Sequence, residues 1–458
     1  MENSNSQIKE NKMGTMPVGK LLFTMALPII ISMLIQALYN VVDSMYVSQI
    51  NENALTAVSL IFPIQNLIIA IASGTAVGVN ALLSRSLGEK NFEKANTIAS
   101  HAVFLAIASS IIVAVIMWAL APLFMHVQTS NAEIYEDGVI YMRIVGGINI
   151  GIFLQITMER LLTSTGKTLC TMLSQGTGAI INIIMDPVLI FGLGPFPEMG
   201  VAGAAAATIL GQCIAACLGI AMNLRLNKEI KFNFKNFRPD GKLIGEIYSI
   251  AVPSIVMISI GSVMTFCMNL ILIRLLESST AAAVFGVYFK INSMIFMPIF
   301  GLNNAMVPII AFNYGAKHRS RIVKTVRISV TYAVILMAVG IALFWLIPDK
   351  LLAIFNASEN MLAIGIPALR IISLSYILAG FSIVIGSVMQ ALGKAFYTMI
   401  VSIARQLIIL IPSAFILALI FKLDGVWWSY NIAEIGSFII TMFFYRKIKK
   451  NMIDPLPE

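Results

Sequence analysis

Apolar runs of about 20 residues recur from one end of the chain to the other, and each is long enough to cross a hydrocarbon core about 30 Å thick. Leu21 to Val42, Ala102 to Leu123, Val201 to Leu224, Ile328 to Ile347, Tyr397 to Phe421 and Val426 to Phe444 are examples, and the whole pattern predicts twelve spanning helices. The first twelve residues are polar, and no small-residue cleavage site followed by soluble sequence comes after the apolar run behind them. No removable signal peptide is therefore expected.

The pattern also repeats. A shift of 227 residues lays Gly74 on Gly301, Gly88 on Gly315, Arg143 on Arg370, Gly166-Lys167 on Gly393-Lys394 and Thr171-Met172 on Thr398-Met399. With a two-residue gap, Pro28 meets Pro253, Pro187 meets Pro412 and Gly200-Val201 meets Gly425-Val426. A shared register across so many unusual positions predicts an internal duplication. The expected units are an N-terminal lobe of helices 1 to 6 (1–224), a cytoplasmic linker (225–243), and a C-terminal lobe of helices 7 to 12 with a short cytoplasmic tail (244–458). Six helices per half give both copies the same orientation, so the pseudo-twofold runs along the membrane normal. Two such bundles face each other across a cleft that rocking can open to either side, the usual geometry of a secondary transporter.

Composition fixes the class. Of 458 residues, 58% are hydrophobic and 12% charged, with mean hydropathy +0.88, against about 45–50% and about 25% in ordinary soluble domains. The net charge of +9 suggests nucleic acid until its distribution is considered. Lysine and arginine gather in alternate loops: Arg85, Lys90 and Lys94; Lys167; Arg225 to Lys242; Lys317 to Arg327; Lys394; and Arg446 to Lys450. Lys350 and Lys422 are the exceptions. By the positive-inside rule both termini and all the basic loops are cytoplasmic. The expected location is the cytoplasmic membrane of a prokaryote, with no nucleic-acid partner.

Catalytic chemistry finds no foothold. Cys170, Cys213, Cys217 and Cys267 lie in or beside apolar segments, and the Cys213/Cys217 spacing has no further ligand to complete a metal site. They are read as small core residues. His101, His126 and His318 have no nucleophile or ligand cluster beside them. No phosphate-binding glycine loop is present either, so the protein is not read as an enzyme, and neither cofactor nor structural metal is expected.

The costly residues are acids in oil, each about 2.5–3.5 kcal/mol at a helix centre on insertion scales. Asp43 follows Pro28 by fifteen residues, in the outward half of helix 1, and a proline inside a helix removes a hydrogen bond and invites a bend. Asp186 lies in helix 5, with Asn182 one turn earlier on the same face. Pro187 leaves the Ile183 carbonyl without its usual donor. Two carboxylates, an amide and a loosened carbonyl make a pocket for a proton or for sodium. The structural alternatives are a solvated Asp43 and an Asp186 that anchors a helix turn. One proton moving down one pH unit supplies roughly 1.4 kcal/mol, a tenfold ratio for a coupled solute.

The second half lacks matching acids around Met268 and Asn269 or Pro412 and Ser413. It carries instead Lys290, Arg370, Arg405 and Glu434. Lys290 and Arg405 are expected to pair with Glu434 or with backbone, or to handle substrate. Arg143 and Arg370 read as snorkelling anchors, and Glu159 with Arg160 as an interfacial pair. Twenty-six methionines and twenty-six phenylalanines suit a promiscuous cleft, although most of them must face lipid or core.

The segments "LPIIISMLIQALYNVVDSMYVSQI", "GTAVGVNALLSRSLGEKNFEKA", "NIIMDPVLIFGLG" and "GVAGAAAATI" together resemble the multidrug and toxin extrusion (MATE) transporters, over essentially the whole chain. The resemblance implies an all-α membrane protein of twelve helices in two V-arranged lobes. It implies export of organic, often cationic and aromatic, small molecules coupled to a proton or sodium. It also implies that Asp43, Asn182 and Asp186, with Thr208 of helix 6, form the cation site, and that helix 1 bends at Pro28. Members with acidic residues in helices 7 and 10 differ from this chain, which places the coupling in the first half. The competing readings are a lipid-linked saccharide flippase, which needs several basic residues around its cavity, and a non-transporting scaffold or membrane enzyme. A monomer in the bilayer is expected.

Overall fold

A computed structural model describes residues 11–235, 237–355 and 357–457. Its first half runs α1 (Lys12–Thr15), α2 (Val18–Ser48), α3 (Glu52–Gly88), α4 (Phe92–Gln128), α5 (Ala132–Gly147), α6 (Ile150–Ser164), α7 (Thr168–Ile190) and α8 (Gly200–Leu226). The second half runs α9 (Gly241–Leu270), α10 (Ser279–Gly315), α11 (Arg319–Leu346), α12 (Pro348–Ala353), α13 (Glu359–Ser373), α14 (Tyr376–Ala391), α15 (Ala395–Ile403) and α16 (Ile411–Ile448). Wider π turns occupy Ile271–Leu275, Ala404–Leu410 and Lys449–Ile453. The described residues contain no strand, as expected of a chain whose backbone must satisfy itself in lipid. Helix starts are set locally: Asn51, Asn91, Asn131, Ser278 and Ser358 each accept a backbone N–H of the first turn.

Nine of these helical stretches are long and apolar enough to cross a membrane, and two bent pairs, α5–α6 (41°) and α13–α14 (50°), raise the count to eleven. The twelfth hides in the stretch Ala395–Ile453, which counts as one span of 59 residues. A straight helix of that length would measure about 90 Å, three hydrocarbon cores. Lys422 breaks it with φ 53° and ψ −133°. Arg405 and Glu434, 29 positions apart, meet at 3.0 Å, where a straight helix would hold them about 44 Å apart. The segment is a hairpin of two spans, which makes twelve among the described residues.

The duplication is visible in detail. Helices α3 and α10 have boundaries related by the 227-residue shift at both ends. Lys90 and Lys317, related by the same shift, both take left-handed backbone (φ 56° and 59°), as do Gly166 and Gly393 (82° and 76°). Thr171 donates to the Glu159 carbonyl at 3.1 Å and Thr398 to the Gly386 carbonyl at 3.0 Å. The first long helix of each half leans on the other half: α2 packs on α10 and α9 packs on α3.

The basic loops are knit together on one face. The Lys94 ammonium lies 3.5 Å from Glu246 and the Arg319 guanidinium 3.0 Å from Asp454. Short helix α1 straps the halves there. Asn11 donates to Glu229 and to the Thr165 carbonyl, and from the second half Arg321 donates to the carbonyls of Met13 and Met16 at 2.9 and 2.8 Å. Met13 is fully buried. One apolar core there takes in Met13, Leu22, Leu87, Leu302 and Met306 from both halves. At the opposite face the first half keeps a core of its own around Val47, Ile61 and Met125. The halves are thus fused at the basic face and part towards the other.

Candidate functional site

Close packing of α7 on α8 builds the first-half site. Gly178 and Gly211 face each other so tightly that a methyl on Gly178 would sit 2.8 Å from the Gly211 carbonyl oxygen, and one on Gly211 2.6 Å from that of Gly178. Small residues let helix backbones approach in this way. Asn182, one turn beyond Gly178, therefore reaches both its own helix and the next: its amide donates to Asp186 at 3.3 Å and to Thr208 at 3.4 Å. Asp186 is fully buried, Asn182 nearly so and Thr208 largely so. Asp43 arrives from α2, which packs along α7, and lies within electrostatic reach of Asp186.

These residues share one chemical property. Asp43 Oδ1, Asn182 Oδ1 and Asp186 Oδ2 are buried acceptor oxygens without a hydrogen-bond donor. An unmatched buried acceptor carries its full desolvation cost, and three of them on two packed helices suit a proton or a hard monovalent cation. Two carboxylates fall short of a transition-metal cluster, and the described residues contain no group of three such ligands. Pro28 sits inside a continuous α2, fifteen residues below Asp43.

Further polar groups belong to this region and escaped the sequence reading. Gln175 donates to Gln36 at 2.8 Å, tying α7 to α2. Tyr39 lies within electrostatic reach of both carboxylates, and Gln65 donates to the Tyr141 hydroxyl at 3.1 Å. Their signal was spacing: Gln36, Tyr39 and Asp43 recur every three to four residues on α2, and Gln175, Asn182 and Asp186 follow one face of α7.

In the second half Arg405 pairs with Glu434 at 3.0 Å. Lys290 does not join them. Its ammonium lies 5.8 Å from the centre of the Phe355 ring on an exposed part of α10, because α10 turns that face outward. The Glu159–Arg160 pairing is also corrected: Gln155 donates to Glu159 at 3.0 Å while Arg160 donates across the halves to Asn304 at 2.9 Å. Consecutive helical residues point about 100° apart and do not face each other. Arg143 and Arg370 stack over Trp118 and Trp345, with 5.2 and 5.9 Å to the ring centres; the tryptophans obey the same 227-residue shift, a match the sequence offered and the reading passed over. Cys213 packs against Gly151 where α8 meets α6, and His101 is a structural anchor, accepting the Asp240 N–H at 2.9 Å.

A cavity of about 500 Å³ lies between the halves, lined by Asn80 and Arg160 from the first and by Asn303, Gln390, Arg405 and Thr441 among others from the second. A neighbouring cavity of about 360 Å³ lies almost wholly in the second half.

Twelve spans, an internal duplication and buried polar groups beside a central cavity define a multi-pass membrane transporter. The family model described as MatE matches residues 28–188 and again 253–416, one match in each half, and the chain belongs to that family. It is similar to the multidrug export protein MepA of Staphylococcus haemolyticus (strain JCSC1435), 26% identical over 436 residues, 95% of each chain. Its fold matches a crystal structure of MATE in complex with MaL6, with TM-score 0.90 and 24% identity over 97% of this chain and 99% of that one. It matches equally, at TM-score 0.90 and 23% identity over 97% and 99%, a MOP superfamily transporter from Pyrococcus furiosus Vc1 whose binding pocket is described as reversed in polarity.

Proposed function

We propose that this transporter exports organic, cationic and aromatic compounds across the cytoplasmic membrane in exchange for a proton or sodium, with both termini inside and the monomer as the working unit. Coupling falls to Asp43, Asn182, Asp186 and Thr208. The single observation that carries the reading is the presence of three unpaired buried oxygens on α2 and α7, helices that pack against each other. Binding a cation there satisfies them and draws α2 against α7. Because α2 also packs on α10 of the other half, its movement about Pro28 reaches the central cavity. The fused basic face and separated opposite face support alternating access, with the cavity turned outward in this arrangement. The MepA relative's name supports multidrug export.

The flippase reading loses ground on the lining of the cavities. Of Lys290, Arg370 and Arg405, only Arg405 borders them, and Glu434 neutralises it; the other arginine on their walls, Arg160, is engaged with Asn304.

The test is efflux of a fluorescent organic cation from proteoliposomes under a proton gradient or a sodium gradient, for wild type, Asp43→Asn and Asp186→Asn. Efflux driven by one ion and reduced at least tenfold in both variants is expected. Wild-type efflux in both variants would place coupling elsewhere.

A further inference from the structure

The second half contains a polar arrangement that the coupling site does not use. Residues Ala404–Leu410 form a π turn just ahead of Pro412, which has no N–H for the preceding turn. Such turns shift side chains off the regular helical register and recur at functional sites. Here the shift places Arg405 and Gln406 on the wall shared by the two cavities. Arg405 Nη1 donates to Glu434 Oε1 at 3.0 Å. The other carboxylate oxygen, Oε2, is buried with no donor, as is the nearby Tyr430 hydroxyl, and Glu434 as a whole is 8% exposed. The 360 Å³ cavity beside it is walled by Tyr288, Phe296, Tyr376 and Tyr430. Tyr288 and Tyr376 both donate their hydroxyls to Asn292, at 3.3 and 2.8 Å. Their rings are thereby fixed, and Tyr430 stands edge-on to Tyr288 at 6.0 Å between centres.

Resting on the export reading above, we propose that this cavity is an organic-cation site in which Glu434 is the anionic contact and Arg405 its exchangeable partner. The chemistry selects a cation. Aromatic faces carry negative quadrupole density, and the free Glu434 oxygen can only accept. The one cationic group present is already engaged, so an anion finds no donor of charge. A cation entering between the rings takes over Glu434. Arg405 then has a polar refuge on its other side, where Ser437 Oγ and Thr441 Oγ1 are buried and without partners and line the central cavity. Because Arg405 is part of the partition, its departure joins the two cavities and gives the cation a path to the space between the halves.

Purified protein in detergent, checked for monodispersity, is titrated with tetraphenylphosphonium and with tetraphenylborate, ions of one shape and opposite charge. Glu434→Gln is expected to weaken tetraphenylphosphonium binding at least tenfold and, by freeing Arg405 from its partner, to leave tetraphenylborate binding no weaker. Arg405→Gln is expected to tighten tetraphenylphosphonium binding about tenfold by removing the competitor. The double variant Arg405→Met with Glu434→Gln leaves no buried charge to destabilise the fold, and it must lose the cation as the single Glu434 variant does. Unchanged tetraphenylphosphonium affinity in the double variant, parallel changes for both ions, or no cation binding by wild type would overturn the assignment. Cation efflux by wild type alongside full binding by Glu434→Gln removes this site and leaves the export reading standing. Charge-selective loss at Glu434 with no efflux under either gradient does the reverse.

Discussion

The halves cross closely at one point that the duplication makes twice over. A methyl on Gly88 of α3 would overlap the Phe312 carbonyl oxygen of α10 and lie 2.8 Å from its carbon; a methyl on Gly315 of α10 would overlap the Arg85 carbonyl oxygen of α3 and lie 3.0 Å from the Glu89 nitrogen. Ordinary carbon contacts begin near 3.5 Å, so either Gly88→Ala or Gly315→Ala must part the helices by about 1 Å. The groups in the way are backbone, and no side chain can turn aside. Overpacking of this kind costs about 1–3 kcal/mol. Once α3 and α10 have moved for one methyl, the second enters for less, so the double variant should cost clearly less than the sum of the singles. Gly245→Ala is the control: it sits inside α9 with nothing within 4 Å and should gain up to about 1 kcal/mol from helix propensity. Thermal unfolding in detergent reads all four, and cysteine cross-linking between the basic loops reads the separation. Single variants as stable as wild type, or strict additivity in the double, would refute the shared crossing.

Other consequences are equally open to measurement. Thr208→Val removes the acceptor for one Asn182 N–H bond while keeping shape; about 1 kcal/mol of stability should be lost, and the apparent affinity for the coupling ion should fall in the liposome assay. Glu229, in the strap at the basic face, is held above its ordinary carboxyl range by burial, against the opposing pull of the Asn11 hydrogen bond, Lys167 and Lys12. A raised folded pKa means stability present below the unfolded value of about 4.5 and lost as pH rises through the folded one. Glu229→Gln should flatten that decline in a melting series across this range, and an unchanged slope would remove Glu229 from it. The coupling ion should stabilise what it binds, by about 2.7 kcal/mol at a hundredfold excess over its dissociation constant. Sodium supplied in place of choline at fixed pH, or a lowered pH, should raise the melting temperature of wild type and not of the Asp43→Asn, Asp186→Asn double variant.

Much of this was legible because membrane helices announce themselves by long apolar runs and a duplication by its register. The polar site was legible where cost made it conspicuous: Asp43 and Asp186 stand out in oil, and Asn182 follows from helical spacing. What escaped was anything set by packing between helices. Lys290 and Arg405 look alike in sequence, yet α10 turns one outward while the π turn before Pro412 turns the other into a cavity. Neutral tyrosines and glutamines cost too little in oil to stand out singly, so Tyr376 became visible only with its neighbours, and Gln36 and Tyr39 had only their helical spacing to Asp43 as a signal. The boundary at Lys422 was legible too, since a few polar residues there part the apolar runs Tyr397 to Phe421 and Val426 to Phe444; its positive φ was not.

The two halves keep a common scaffold and spend it differently. Under the 225-residue register that aligns Pro187 with Pro412 and Gly200 with Gly425, the span carrying Asn182 and Asp186 corresponds to that carrying Arg405. The span carrying Thr208 likewise corresponds to that carrying Glu434. The same helix pair thus holds polar chemistry in each copy, but with opposite electrostatic settings. In the first half, carboxylates on the packed helices α2 and α7 have no ion-pair partner among the described residues, and in the proposed reading a mobile cation balances them. In the second half the acid comes with its own guanidinium, which any incoming cation must displace. On the proposed reading a small ion therefore has its destination in the first half. An organic cation, able to recover the lost ion pair through aromatic contact, has one in the second. In the reading proposed above, placing the two functions on separate copies lets one ligand be released while the other is bound, which is what exchange requires.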